Sequence, residues 1–197
     1  MEGAARLVAD LKFDGLDINM GCPVATIGKQ GAGAAMIREP ENARTVIRAA
    51  KAGAGNLPVS VKTRIGYNED EIESWIPAIL AEEPAALTVH LRTKKQLSKV
   101  PAQWEKLSRI VELRDQLSPQ TLILGNGDVL SAEDGRRKAK LSGADGVMVG
   151  RALFGNPWFF HPKKRLPIRL DALPTKGVNR EEIVVEDTTD QNFEYIT

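Results

Sequence analysis

Five short apolar runs, Gly15–Met20, Pro58–Thr63, Ala86–Leu91, Thr121–Gly125 and Gly146–Gly150, each end in polar or glycine-rich sequence, and this repeat constrains the fold more than any other feature. Each run has the length of a buried strand. None shows a clean polar alternation, which suits parallel strands covered on both faces. Helical patterns lie between them. From Pro40 to Gly53, Ala43, Val46, Ile47 and Ala50 recur at helical spacing, with Pro40 in the first turn and Gly53 as the stop. Ile72, Trp75, Ile76, Ile79 and Leu80 form a second stripe, in which Pro77 must either kink the helix or lie in its first turn. Trp104, Leu107, Ile110, Val111 and Leu117 mark a third helix, and Ser131 followed by Asp134 resembles a capping box that opens a fourth.

Repeated strand then helix implies right-handed crossovers between parallel strands, in either a doubly wound sheet or a (β/α)₈ TIM barrel. The strand ends favour the barrel. There every C-terminal strand end faces one mouth, so polar residues should recur on strand after strand. They do: Asn19 to Cys22, Lys62 to Arg64, His90 to Arg92, Asn126 to Asp128, and Gly150-Arg151. A whole barrel takes eight strands and about 250 residues. The expected fold is therefore α/β, a partial TIM barrel of about five of the eight strand-helix units over residues 1–160. An irregular charged tail follows over 161–197, where Ile183–Val185 is one short candidate strand. A second chain or a missing N-terminal segment would complete the barrel.

Composition narrows the partners only slightly. The chain has 197 residues, 42% of them hydrophobic, enough for one substantial core, and its 27 Lys and Arg against 26 Asp and Glu give no global signal for nucleic acid. One cysteine excludes an internal disulfide framework, and one thiol with two histidines makes no zinc cluster of the usual spacing. No metal and no membrane are expected, and a reducing cytoplasmic location fits best.

That one cysteine, Cys22, ends the run Gly15-Leu16-Asp17-Ile18-Asn19-Met20-Gly21-Cys22-Pro23 on a tight, proline-braced turn. Most free cysteines are small buried hydrophobes. A place at a barrel mouth argues instead for an accessible thiol able to hold and release a proton. The glycines at 28, 31 and 33 lack the Ser or Thr after Lys29 that a P-loop needs, so they are read as a mobile lid beside Cys22. Asn126-Gly127 is not a hairpin turn, because a helix follows it. Arg136, Arg137, Lys138 and Lys140 read as a solvated helix face.

Leu16-Asp17-Ile18-Asn19-Met20-Gly21-Cys22-Pro23 is similar to the signature of tRNA-dihydrouridine synthases. In the same order follow Gly31-Ala32-Gly33-Ala34-Ala35, Val61-Lys62-Thr63-Arg64-Ile65-Gly66, Thr88-Val89-His90-Leu91-Arg92-Thr93, Gly125-Asn126-Gly127-Asp128-Val129, Gly146-Val147-Met148-Val149-Gly150-Arg151-Ala152 and Gly155-Asn156-Pro157-Trp158. The family usually has glycine where Leu91 stands. The resemblance aligns the five strands with the fourth to eighth of the family's barrel and implies FMN as cofactor, with NADPH or NADH as electron donor. It implies contact of Lys62 and His90 with the flavin. It also implies a phosphate site in the loops of Asn126, Gly127 and Asp128 and of Gly150 and Arg151, where backbone N–H groups converge. Cys22 would protonate a tRNA uridine during its reduction, and Asn19 and Arg64 are the candidates for holding the uracil. Two other readings stay open: an FMN-dependent enzyme acting on a free pyrimidine or other small molecule, and a catalytically silent fragment or binding module.

Overall fold

The structure, a computed structural model, describes residues 1–161. The expected charged tail beyond His161, with the candidate strand at Ile183–Val185, lies outside the described residues. Five strands match the five apolar runs to within one or two residues: β1 (Leu16–Asn19), β2 (Val59–Arg64), β3 (Ala86–His90), β4 (Leu122–Asn126) and β5 (Gly146–Met148). All pair in parallel, in the order β1-β2-β3-β4-β5. A doubly wound sheet reverses its strand order partway along. This sheet never does, so its winding is that of a partial (β/α) barrel.

Register and alternation sort the strand residues into two faces. Ile18, Val59, Val61, Leu87, Val89 and Ile123 form one, and all are buried against helices. The other carries Asn19, Lys62 and Thr88 as register partners in one row, and Arg64, His90 and Asn126 in the next. The sequence expectation of strands apolar on both faces is corrected here. β2 reads Val-Ser-Val-Lys-Thr-Arg, and its Ser, Lys and Arg share the second face. Among the described residues nothing covers that face fully, and Leu122 on it is 51% exposed.

The helices are α1 (Glu2–Asp10), α2 (Ala25–Lys29), α3 (Pro40–Ala54), α4 (Ile72–Leu80), α5 (Leu107–Leu117) and α6 (Ala132–Ser142). Core-facing stripes from α3, α4 and α5 close over the apolar strand face, each large side chain contributing about 1.5–3 kcal/mol on burial. Pro77 lies inside α4 rather than in its first turn. Leu117 departs from the expected stripe: it is exposed, and Leu113 and Arg114 are buried in its place. Ser131 caps α6 by accepting from the Asp134 N–H at 3.0 Å, and the Asp134 carboxylate accepts in return from the Leu130 N–H. No helix among the described residues is long and apolar enough to cross a membrane.

Gly53 does not stop α3, which runs one residue further and ends at Gly55 with a positive φ of 63°. Gly53 is instead where α1 docks. A Cβ there would lie 2.1 Å from the Glu2 carbonyl oxygen and 3.0 Å from the Ala5 methyl. Gly53→Ala should therefore lower unfolding free energy by about 1–3 kcal/mol in a denaturant titration. Gly3→Ala, whose new methyl meets nothing within 4 Å, should leave stability equal or slightly raised.

Candidate active site

The segment after β1 must turn sharply away from the sheet, and three sets of hydrogen bonds fix the turn. The Asn19 side-chain oxygen accepts from the N–H groups of both Gly21 and Cys22, each at 3.0 Å. Arg64 donates from Nε to the Gly21 carbonyl at 2.8 Å and from Nη1 to the Thr93 carbonyl at 3.2 Å. Trp75 of α4 donates to the Thr63 hydroxyl, which donates to the Met20 carbonyl. A helix, two strands and the turn are thus joined directly before Cys22. The thiol is free and half-buried.

Behind it lies the glycine-rich segment. The Ala34 N–H donates to the Cys22 carbonyl at 2.9 Å, and a Cβ on Gly33, whose φ is 61°, would come 2.8 Å from that carbonyl oxygen and 3.0 Å from the Cys22 Cβ. The expected lid is corrected to a buttress. Its 3₁₀ turn, Gly33–Arg38, buries Gly33, Ala34 and Ile37, with Gly33 and Ala34 directly against Cys22.

At the C-terminal ends of the next strands, register places Asn19 beside Lys62 and aligns Arg64, His90 and Asn126. Asn126 donates from Nδ2 to the Met148 carbonyl at 2.8 Å, tying β4 to β5. Asp128 gathers the positive charge of this rim. Its carboxylate accepts from Arg92 Nη2, from the Ala102 N–H at 2.9 Å and from Arg151 Nη2 at 2.9 Å. Burial works to raise its pKa, but these donors together hold it below the usual carboxylate value. Gly127 is demanded by the protein itself: its φ is 121°, and a Cβ would meet Ala102 at 2.8 Å and His90 at 3.2 Å. Gly150 has open space where a side chain would project, and Arg151 is half-exposed.

Arg92 is the functional-site residue that sequence reasoning passed over as one of several polar strand ends. It is 3% exposed and donates to Asp128, to the Val100 carbonyl at 2.6 Å and from Nη1 to His90 Nε2 at 3.1 Å. Its position two residues after His90, where an arginine would otherwise be solvated, was the available signal. Because Arg92 donates to Nε2, the His90 ring proton is on Nδ1. Burial, then Arg64, Lys62 and Arg92, push the His90 pKa down to about 3, so its imidazole is neutral. Burial also lowers the Lys62 pKa, with Arg64 adding to the effect and Asp17 opposing it. The residues expected at the site from sequence are thus assembled along one rim, with Cys22 at the β1 end and Arg151 at the β5 end.

Comparison with known proteins gives a consistent result. The family model described as "Dihydrouridine synthase (Dus)" matches residues 1–187. The protein named "Probable tRNA-dihydrouridine synthase" from Staphylococcus epidermidis is 46% identical over 159 residues, 80% of this chain and 48% of that protein. The same figures hold for "Probable tRNA-dihydrouridine synthase" from Staphylococcus aureus strain Mu50 and for "Probable tRNA-dihydrouridine synthase 2" from Bacillus subtilis strain 168. This chain therefore spans about half the length of the curated relatives it matches.

The depressed His90 pKa has a consequence for stability. Below its ordinary value of 6.5 the unfolded chain takes up a proton that the folded chain refuses until pH approaches 3, so folding free energy falls as pH is lowered through that window. Between pH 7 and pH 5 the His90 contribution to this loss should be about 1–2 kcal/mol. His90→Gln should flatten that part of the stability profile, which denaturant titrations at a series of pH values would measure.

Proposed function

The chain belongs to the dihydrouridine synthase family, and from that premise we propose that it reduces uridine in tRNA to 5,6-dihydrouridine, with FMN as cofactor and Cys22 as proton donor. The observation that carries this reading is the presentation of Cys22. A single free thiol is held at a strand end by Asn19, Arg64 and Gly33 rather than packed into the core.

The rim residues fit a flavin mononucleotide. Lys62 and the neutral His90, with its Nδ1–H, stand at strand ends that would face the ring system, where a cation and a donor favour electron-rich carbonyl groups. Gly150 leaves backbone open to close approach, and Arg151, half-exposed, has N–H groups beyond the one given to Asp128, as a phosphate requires. Asn126 and Asp128 would shape that end by fixing β5 and Arg151, with Gly127 allowing their turn. FMN, when bound, supplies the hydride that adds to uracil C6, with NADPH or NADH as the source of reducing equivalents.

The chain's own groups do the rest. Cys22 Sγ–H delivers the proton to C5, the C5=C6 π electrons form the new C5–H bond, and the thiolate regains its proton from water. The Asn19 amide nitrogen, unused in bracing the turn, would donate to a uracil carbonyl. Arg64 would add positive charge beside it while holding the turn. The uridine must leave its stack to reach Cys22, a cost of a few kcal/mol that tRNA loops lower. A tRNA substrate goes with a cytoplasmic location. Among the described residues β1 and β5 each have an unpaired edge, and further strand-helix units, from a second chain or another segment, would close the barrel around the cofactor.

The test is nucleoside mass spectrometry of an unmodified tRNA transcript incubated with the protein, FMN and NADPH. Dihydrouridine should form, and Cys22→Ala should lower its rate by about 10²–10⁴-fold with tRNA binding retained. Unchanged turnover in Cys22→Ala, or reduction of free uracil in place of tRNA, would overturn the assignment. Asn19→Ala, which releases two N–H groups of the Cys22 turn, should lower the rate by about 10- to 100-fold through misplacement of the thiol.

A further inference from the structure

Beside Cys22, the loops after β1, β2 and β3 line a concave pocket of about 370 Å³ whose wall includes Cys22 and Pro23. Its other polar lining is entirely basic apart from one phenol: Lys29, Arg38, Lys94 and Tyr67. Two cations lie close to the Tyr67 ring, the Arg38 guanidinium 5.3 Å and the Lys94 ammonium 4.8 Å from its centroid. The loops themselves are fastened, since the Lys94 N–H donates to the Gly66 carbonyl and the Lys95 N–H to the Tyr67 carbonyl, both at 2.9 Å.

On the helical surface many cations are paired, although Arg136 and Lys140 of α6 have no carboxylate within salt-bridge distance among the described residues. There Arg6, Arg44, Arg48, Arg109 and Arg137 are each paired with a carboxylate. Lys29, Arg38 and Lys94 have no carboxylate within salt-bridge distance among the described residues. Repelling cations brought round one aromatic ring without a counter-ion raise the local potential, and a bound anion relieves it. An aromatic ring beside cations also suits a nucleobase or ribose next to a phosphate.

We infer that this pocket is a second substrate subsite, in which Arg38 and Lys94 hold a phosphodiester of the RNA strand next to the uridine presented to Cys22, with Tyr67 against the neighbouring nucleotide. The inference rests on the tRNA reading of Cys22. Because Cys22 forms part of the pocket wall, an occupant of the pocket and the base at the thiol are near enough to belong to one strand.

Binding of tRNA to the protein, measured over a series of salt concentrations, tests this. Each single-strand phosphate that the protein ceases to neutralise reduces the slope of log K against log salt by about 0.7. The double variant Arg38→Ala/Lys94→Ala should therefore lower the slope by about 0.7, Arg38→Lys/Lys94→Arg should restore it, and Arg136→Ala/Lys140→Ala on α6 should leave it unchanged. An unaltered slope in the first double variant overturns the subsite even where Cys22-dependent dihydrouridine formation stands. Inorganic phosphate and uridine monophosphate serve as competitors. If they bind in an Arg38- and Lys94-dependent way while tRNA binding does not respond, the pocket takes a free nucleotide and the inference fails. Loss of dihydrouridine formation with tRNA binding intact and salt-sensitive would count against the catalytic reading and not against the subsite.

Discussion

Each strand of this protein is hydrogen-bonded in parallel to the strand before it in sequence, and the geometry of the rest depends on that constraint. Parallel neighbours with right-handed crossovers send every C-terminal strand end to the same side. Side chains remote in sequence become adjacent by register alone, as Arg64, His90 and Asn126 do across three strands. A slip of one residue would turn each of them toward the helices and bring Thr63, Val89 or Gly125 to the rim instead. The apolar face prevents the slip, because Val61, Leu87, Val89 and Ile123 are fully buried against the helices and would all be displaced together.

The rim so formed carries a charge problem. Arg92 and Arg151 share one carboxylate, Asp128, while Lys62, Arg64 and Arg92 lie near His90, and burying a guanidinium as deeply as Arg92 costs several kcal/mol unless its donors are met. Asp128, the Val100 carbonyl and His90 Nε2 meet them. The arrangement fixes the tautomer of His90 and keeps it neutral, so the histidine is unsuited to donate a proton as an imidazolium. Cys22, braced at the other end of the rim, is the proton donor proposed for the site. The excess of cations suits the anionic cofactor and substrate proposed for the site.

Much of this was legible in the sequence because it follows from short-range patterns. All five strands lie where the apolar runs place them, and the Ser131 and Asp134 box opens its helix as expected. The errors share a cause, which is that tertiary contact decided them. Gly53 looks like a helix stop, yet its missing side chain makes room for the Glu2 carbonyl of a helix whose docking no local pattern announces. Glycines 31 and 33 look mobile until Gly33 is seen pressed against Cys22. Arg64, a candidate for holding the uracil, also donates to the Gly21 carbonyl of the Cys22 turn and to the Thr93 carbonyl after β3, contacts that no local pattern announces. Arg92 could be valued only after Asp128, 36 residues later, was brought to it.

The two faces of the sheet also differ in what they require. The helix-covered face is finished by the chain's own elements, and among the described residues every buried side-chain nitrogen and oxygen has a partner. The inner face, with Asp17, Asn19 and Leu122 exposed, has no such closure. Yet the Cys22 turn takes its shape from the chain's own bonds. Asn19, Arg64, Thr63 and Ala34 fix it locally, and the strand-end loops are fastened to one another through Leu91 N–H to the Asn126 carbonyl and Gln103 N–H to the Leu91 carbonyl. Closure of a barrel would act on the retention of a flavin and the exclusion of water, which need walls on every side. The thiol is placed by β1 and β2, the helices behind them and the loops that carry Ala34 and Thr93. Positioning of Cys22 and enclosure of the cofactor are therefore separable properties of this fold.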